Sequence, residues 1–345
     1  MTLSTALKTG DLSALPSRRD EDWRWTDLRG LLKVLPPVAP AHDGDVPAGP
    51  FAGLADAETL FVNGRRAGAS DAASGVVALR FVALADKASQ GASQALVVKP
   101  GESLVLLESH EGRAGAYVSD VALDIAVGEG ASLERIVLVD DEAEAVNVVT
   151  AEVALAPGAK FAQTVLTSGA RRQRIETRVR HPGAHAEVRL DGAYLLDAQR
   201  HADLTSVVTH GGLDGVTSQL TKGMVTDQAR GVFQGRIVVE KGADQTDARM
   251  GHHALILSDK AEIDAKPELL IFADDVSCAH GNTIGALDDE VLFYAEQRGI
   301  PEADAKAMLT VAFVGEVVER IEHEGAREVA AAWVARKLGS DADGF

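Results

Sequence analysis

A short strand-turn-strand unit recurs through the middle of the chain, and this repeat is the feature that most constrains its fold. Alternating runs such as Leu123–Val127 and Ile175–Arg180 have the period of two that is typical of β-strands. Tight glycine turns interrupt these runs at Gly101, Gly130, Gly158, Gly183, the degenerate Gly211-Gly212 and Gly242, at steps of 29, 28, 25, about 28 and about 30 residues. The repeat predicts stacked units of similar length.

The repeat favours a parallel β-solenoid for residues 55–285. Parallel strands in a βαβ sheet need helical crossovers, and no helical pattern interrupts this region. Coils of this length bury their apolar faces only against neighbouring coils, and small aliphatic residues suit such a narrow interior. We expect about eight coils. An antiparallel β-sandwich, which also has short strands and glycine turns, remains the alternative.

Helical patterns flank the repeat on both sides and divide the chain into three predicted regions. Residues 1–50 comprise a helical part, 1–35, followed by a linker that holds five prolines. Residues 51–285 form the β core, and residues 286–345 form a C-terminal helical region. In this last region Gly299 ends a first helix, Pro301 opens a second, and Gly325 precedes a third.

Charge and composition exclude several classes of function. The 345 residues carry a formal charge of −18, which disfavours binding to nucleic acids and anionic membranes. No uncharged apolar stretch is long enough to span a bilayer, and the first residues do not resemble a secretory signal. A single cysteine excludes an internal disulfide. The chain lacks a phosphate-binding GxxxxGK[ST] loop, so we expect no ATP binding, and we expect a cytoplasmic location.

The densest polar segment is Asp274–Thr283. On a strand, Cys278 and His280 would share one face with a Cα spacing of about 6.6 Å, close enough for both to bind one metal ion. Thiolate and imidazole suit iron or zinc, but a complete site needs about four ligands, so others must come from elsewhere. An inert buried cysteine beside a hydrogen-bonded histidine is the alternative. The basic run Arg171–Arg174 is interpreted as a solvated loop.

Two segments resemble one known family. Gln245–Ile300, with its DDVSCAHGNT core, is similar to the C-terminal signature of the SufB/SufD family of iron–sulfur cluster assembly subunits, and more closely to its SufD branch. Pro16–Leu28, PSRRDEDWRWTDL, resembles the entry motif of the same family. The resemblance implies a mainly β protein, a right-handed parallel β-helix flanked by N-terminal and C-terminal helical regions.

The resemblance also implies a function. Members of the SufD branch are non-enzymatic scaffold subunits that pair with a SufB-like subunit through the β-helix core and dock a SufC-like ATPase through the C-terminal helices. Cys278 and His280 would then share a transient iron–sulfur cluster or iron with the SufB-like subunit. ATP would bind only to the ATPase, and a reduced flavin on the complex is left open. The residues predicted to dock the ATPase are Leu287, Leu292, Phe293, Met308, Leu309 and Phe313.

Three alternatives to this scaffold function remain open. A SufB-like role as sulfur acceptor needs a second thiol that this chain lacks. A purely structural adaptor would make Cys278 and His280 incidental. A carbohydrate-active β-helix enzyme would need clustered carboxylates and aromatic platforms, which the aromatic content of 4% disfavours.

Overall fold

The computed structural model describes residues 2–69 and 75–339, and these contain 17 β-strands and five α-helices. The strands are β1 Ala57–Val62, β2 Arg65–Ala69, β3 Gly75–Ala83, β4 Ala88–Val98, β5 Ser103–Gly112, β6 Tyr117–Val127, β7 Ser132–Asp140, β8 Val146–Leu155, β9 Lys160–Thr167, β10 Arg172–His181, β11 Glu187–Leu196, β12 His201–His210, β13 Val216–Val225, β14 Arg230–Val239, β15 Asp247–Ile256, β16 Glu262–Ile271 and β17 Ser277–Gly285. The helices are α1 Leu3–Thr9, α2 Leu28–Leu31, α3 Asp289–Gln297, α4 Glu302–Val318 and α5 Glu324–Lys337.

Successive strands alternate between two sheets that face each other. The ten-stranded sheet has the order β17-β15-β13-β11-β9-β7-β5-β3-β1-β2, and the seven-stranded sheet has the order β16-β14-β12-β10-β8-β6-β4. Each strand from β3 onward pairs in parallel with the strand two places along the chain, so one strand from each sheet makes one coil. The predicted mainly β, parallel solenoid is therefore confirmed, and the β-sandwich alternative is wrong.

The solenoid has seven two-stranded coils, β3/β4 to β15/β16, followed by β17, rather than the predicted eight. The difference arises at the beginning, where β1 and β2 pair antiparallel as a hairpin instead of making a coil. Asn63 and Gly64 form the two-residue turn, with φ angles of 51° and 76°. An Asn-Gly turn with both residues in the left-handed conformation matches the twist of antiparallel strands. The chain therefore forms a hairpin at this position instead of another coil.

The interior between the sheets is aliphatic but contains a buried ladder of polar side chains. Arg135 is fully buried, and its Nε and Nη2 donate to the two carboxylate oxygens of Glu108 at 2.8 Å each. Its Nη1 donates to Gln163 Oε1 at 2.6 Å, and Gln163 Nε2 donates to Thr177 Oγ1 at 3.0 Å. Burial alone would raise the pKa of Glu108, but Arg135 and a hydrogen bond from His110 lower it below its usual value. This ladder joins four strands through side chains.

The N-terminal region packs on the outer face of the seven-stranded sheet. It contains only the short helices α1 and α2 and two 3₁₀ turns, at residues 12–14 and 21–23, where the sequence predicted a largely helical stretch. Leu3, Leu15 and Leu28 are buried against Val146 and Val148 of β8. Apolar contacts thus hold this region to the solenoid.

Arg174 is the centre of the polar contact between the N-terminal region and the solenoid. It lies in β10, is fully buried, and donates to Glu176 at 2.9 Å and to Asp203 at 2.8 Å. The Trp23 ring centroid lies 4.5 Å from its guanidinium carbon, and Thr26 Oγ1 donates to Asp203 at 2.5 Å. The interpretation of residues 171–174 as a solvated loop is therefore wrong for residues 172–174, which lie in β10, and Gln173 is fully buried like Arg174.

The same N-terminal segment reaches the last coil. Arg236 of β14 donates to Asp22 at 3.1 Å, and Lys266 of β16 donates to Glu21 at 2.7 Å. Residues 36–50 contain one isolated β-bridge, Val38 with Ser89, and no helix or strand. The family-like motif around Trp23 is thus a strap across the outer face of the sheet.

The C-terminal helices cover the outer face of the ten-stranded sheet. Val314 and Val317 of α4 and Trp333 of α5 are buried against Leu107 and Leu195. The end of α3 and the start of α4 are as predicted, with a left-handed Gly299 after α3 and Pro301 immediately before α4. The prediction that Gly325 precedes the third helix is wrong, because α5 begins at Glu324 with His323 as its N-cap. Among the described residues, no helix is both long and apolar enough to span a membrane.

Replacing Arg135 with Met should destabilise the fold by about 3–5 kcal/mol at pH 7, because the Glu108 carboxylate would stay buried without its cation. Urea denaturation measures this loss. In the wild type the lowered pKa of Glu108 stabilises the folded state, and this stabilisation is lost as the pH falls through that pKa. In the variant, burial without Arg135 raises the pKa of Glu108, so ionisation of the carboxyl destabilises the folded state at higher pH. The difference in free energy of unfolding between the two proteins should therefore narrow at about pH 4, where Glu108 becomes protonated.

The control is the double variant Glu108→Leu with Arg135→Met, which removes both charges and should recover much of the lost stability. If the single Arg135→Met variant were as stable as the double variant, the buried ion pair would not have the role assigned to it.

Candidate functional site

The last coil of the solenoid is uncovered. β16 and β17 are the edge strands of the two sheets, and no described residue pairs with their outer edges. Ile271, Phe272 and Ile284 are 40%, 64% and 42% exposed at this end. Unpaired strand edges with exposed apolar side chains are prone to pair with another chain, so this end is a candidate interaction surface. We call it the open end.

Cys278 and His280 lie in β17, at the open end. Their Cα partners in β15 are Ala248 and Met250, both buried in the interior, so Cys278 and His280 point along the interior face of the terminal strand. The sequence correctly predicted that the pair shares one face. The strand begins at Ser277, so the preceding acidic pair, Asp274-Asp275, lies in the turn before it.

The two side chains have different surroundings. Cys278 is half-buried against the cluster that includes Ala248 and Met250, whereas His280 is exposed and its ring makes no hydrogen bond with any described residue. Burial first, and then the nearby Asp247 carboxylate, raise the pKa of the Cys278 thiol. The thiol is therefore protonated at neutral pH and must lose its proton to bind a metal. His280 offers an exposed ring nitrogen, which is a common metal ligand.

The pair does not complete a metal site within this chain. Over residues 2–69 and 75–339, no group of three or more His, Cys, Asp or Glu side chains is placed to hold a metal ion. Iron or zinc sites generally need about four ligands. Cys278 and His280 can thus supply at most two of the ligands that such a site needs.

Two histidines of β15 lie behind the terminal strand and face opposite sides, as their adjacent positions predict. His252 is fully buried and contacts Tyr194 and Asn282, whereas His253 points outward and contacts Thr283. Sequence reasoning found their opposite orientation but missed the contact with Asn282, because the register of one coil on the next was unknown.

The residues predicted to dock an ATPase do not form one exposed stripe. Phe293 and Met308 are 61% and 57% exposed, whereas Leu287, Leu292, Leu309 and Phe313 are half-buried. Phe313 packs beneath Lys222, whose Nζ lies 4.3 Å from the ring centroid, and Lys222 also pairs with Glu316 at 2.8 Å. Phe313 is therefore part of the contact between α4 and the solenoid.

The exposed apolar surface instead centres on α3. Val291 and Tyr294, which the sequence did not single out, are 43% and 59% exposed beside Phe293. Together with Met308 these residues form what we call the α3 patch, bordered by the acidic Asp289 and Glu290 at the helix start. α3 packs on α4 and none of its residues is buried, so it projects from the solenoid.

Comparison with known proteins assigns this fold and site to a family. Residues 81–313 match the family described as SUF system FeS cluster assembly, SufBD core domain. The chain is 28% identical to the iron–sulfur cluster assembly protein SufD of Escherichia coli (strain K12). The alignment, 394 positions long with its gaps, covers 97% of this chain and 91% of that protein. It is 32% identical over 136 residues to SufD of Bacillus subtilis (strain 168), over 39% of this chain and 31% of that protein.

A further relative is a SufBD family protein of Synechocystis, 30% identical over 205 residues, which are 59% of this chain and 45% of that protein. The family match extends from β3 through the open end and into α4, and so it contains Cys278, His280 and the α3 patch. Since it covers more than half of the sequence and agrees with the solenoid architecture, the chain belongs to the SufBD core family of iron–sulfur cluster assembly proteins.

Proposed function

We propose that this chain is a SufD-type, non-enzymatic scaffold subunit that works in the cytoplasm. It would pair with a SufB-like subunit through the open end and dock a SufC-like ATPase through the α3 patch. One observation carries the proposal: the uncovered last coil presents Cys278 and His280 on an apolar surface with unpaired strand edges.

The open end supports pairing with another β-solenoid. Its two edge strands offer unpaired backbone groups, and Ile271, Phe272 and Ile284 offer apolar area that a partner would bury. A SufB-like subunit of the same architecture would present two complementary edges. The ligands that Cys278 and His280 lack would then come from the partner.

Charged substitutions at the open end should abolish pairing. Ile271→Lys with Phe272→Asp is expected to weaken co-purification with a SufB-like subunit by at least about 30-fold, since central interface residues commonly contribute 2 kcal/mol or more. The matched control is Val97→Lys in β4, which is 66% exposed at the opposite end of the same sheet. Unchanged pairing in the double variant, with its circular dichroism intact, would place the interface elsewhere.

The cluster itself is cargo of the complex rather than a resident cofactor. A transient iron–sulfur cluster or iron would be shared by Cys278, His280 and the SufB-like subunit, with ATP bound only by the ATPase. The raised pKa of Cys278 means that binding iron must displace a proton from the thiol, whereas His280 is accessible.

His280→Ala should impair cluster assembly more than Cys278→Ala. The imidazole is exposed and can reach a bound metal, whereas the thiol is half-buried and held protonated. The measurement is the activity of cluster-dependent enzymes in cells that rely on this system alone, with assembly of the complex checked for each variant. Normal activity in the His280→Ala strain with the complex intact would leave only the structural-adaptor function.

The α3 patch suits docking of an ATPase because it is apolar, projects from the solenoid and is attached through α4. Phe293 and Tyr294 of α3 and Met308 in the first half of α4 are exposed. The second half of α4 packs on the sheet through Val314 and Val317. A force applied at the patch would therefore reach the ten-stranded sheet that contains β17.

Phe293→Asp with Met308→Asp should abolish co-purification with a SufC-like ATPase without changing the fold, since both side chains are exposed. Leu213→Asp, at a solenoid turn where the side chain is 47% exposed, is the matched control and should bind normally. Retention of the ATPase by the double variant would contradict docking at this patch.

A further inference from the structure

Three side chains form a hydrogen-bonded chain from the solenoid interior to the open end. Tyr194 Oη lies 2.9 Å from His252 Nε2, and His252 Nδ1 lies 2.6 Å from Asn282 Oδ1. Tyr194 and His252 are fully buried, whereas Asn282 is exposed in β17. Asn282 follows His280 by two residues, so both lie on the same face of the strand.

The surrounding packing fixes this chain in place. Tyr194 of β11 reaches His252 of β15 across the intervening coil, because Gly223 and Gly231 leave room for its ring. A Cβ at either glycine would lie 2.1 or 2.4 Å from ring atoms of Tyr194. The Phe233 ring stacks on His252 with centroids 4.6 Å apart and an interplanar angle of 1°. The imidazole therefore has one orientation.

Burial sets the direction of the hydrogen bonds. It raises the pKa of Tyr194, so the hydroxyl keeps its proton, and lowers the pKa of His252 to about 4, so the imidazole is neutral with one N–H. Among the described residues the Tyr194 hydroxyl forms a hydrogen bond only with His252. Because its proton has no other acceptor there, the hydroxyl donates to Nε2. The histidine proton is then on Nδ1, and His252 donates it to Asn282 Oδ1. The NH₂ group of the Asn282 amide therefore points away from His252, toward the open end.

We propose that Asn282 is a third residue of the Cys278–His280 site and donates a hydrogen bond to a sulfur atom of the iron–sulfur species bound there. Tyr194 and His252 are positioning residues that keep its NH₂ group facing the bound species. This inference rests on the proposed function, and specifies within it a donor for sulfide or thiolate sulfur.

The distances allow this contact. Adjacent same-face Cα atoms in a strand lie about 6.6 Å apart, so the His280 ring and the Asn282 amide can reach one bound species. Hydrogen bonds to cluster sulfur stabilise the reduced, more electron-rich state, and are one of the protein's means of setting the reduction potential.

The test uses the assembled complex with a SufB-like subunit and an ATPase, loaded with ferrous iron and sulfide. Asn282→Ala should shift the reduction potential of the cluster to more negative values and speed its loss to a chelator about three- to tenfold, the value of one hydrogen bond. Asn282→Asp, which presents an acceptor in place of the donor, should shift both further.

The matched control is Thr283→Ala. Thr283 Oγ1 lies 2.6 Å from His253 Nδ1, a contact of the same kind on the opposite face of the same two strands. Its removal should leave the potential and the rate of loss unchanged. Equal behaviour of Asn282→Ala and Thr283→Ala in a loaded complex would overturn the inference and leave the proposed function intact. If the wild-type complex takes up no cluster, the proposed function and the role of Asn282 are both contradicted.

A second measurement needs no cluster. In the full chain alone, ¹⁵N NMR should show His252 as the Nδ1–H tautomer, and Tyr194→Phe should shift it toward the other tautomer and reproduce part of the Asn282→Ala effect in the complex. A wild-type Nε2–H tautomer would reverse the hydrogen bonds, place the amide oxygen outward and overturn the inference.

Discussion

Each coil of the solenoid buries its interior side chains only between the coil before it and the coil after it. This constraint fixes the position of the candidate site. Along most of the molecule residues at the interior positions are buried, as Ala248 and Met250 are in β15. In the next strand of the same sheet, β17, these positions are occupied by Cys278 and His280, and no described strand pairs beyond them. Side chains at interior positions therefore become accessible to a partner at β17.

The outer faces of the sheets hold the terminal coil in place without covering its end. Glu21 and Asp22 pair with Lys266 and Arg236, so the N-terminal strap contacts the last two strands of the seven-stranded sheet. On the other sheet, Lys222 joins α4 to β13, two strands from β17. The open end is thus supported from both sides by residues far away in the sequence.

The sequence predicted the solenoid because its turns impose a local requirement. Gly101, Gly130, Gly158 and Gly242 all adopt the left-handed conformation that tight turns need. The repeat weakens near Gly183 and Gly211 because His185 and Asp214 take the left-handed position there. The face shared by Cys278 and His280 was also predictable, since strand alternation depends only on neighbouring residues.

Contacts between coils were not predictable in the same way. Arg174 was misread because its partners, Asp203 and Trp23, lie far along the chain and nothing local marks them. His252 and Asn282 are 30 residues apart, and a register shift of one residue would separate them. The sequence could not show which of the predicted docking residues are exposed, because a helical stripe does not reveal which half of α4 the sheet covers.

The β1–β2 hairpin has a consequence for the size of any assembly. A solenoid with two open ends could add further solenoids head to tail and grow into a filament. Here the first end of the ten-stranded sheet finishes in an antiparallel strand that carries Arg65 and Arg66, and charged edge residues discourage further pairing. At the same end of the other sheet, Val38 bridges to Ser89 at the start of β4. If two solenoids join through their open ends, the blunted first end of the ten-stranded sheet would keep the assembly from growing beyond a pair.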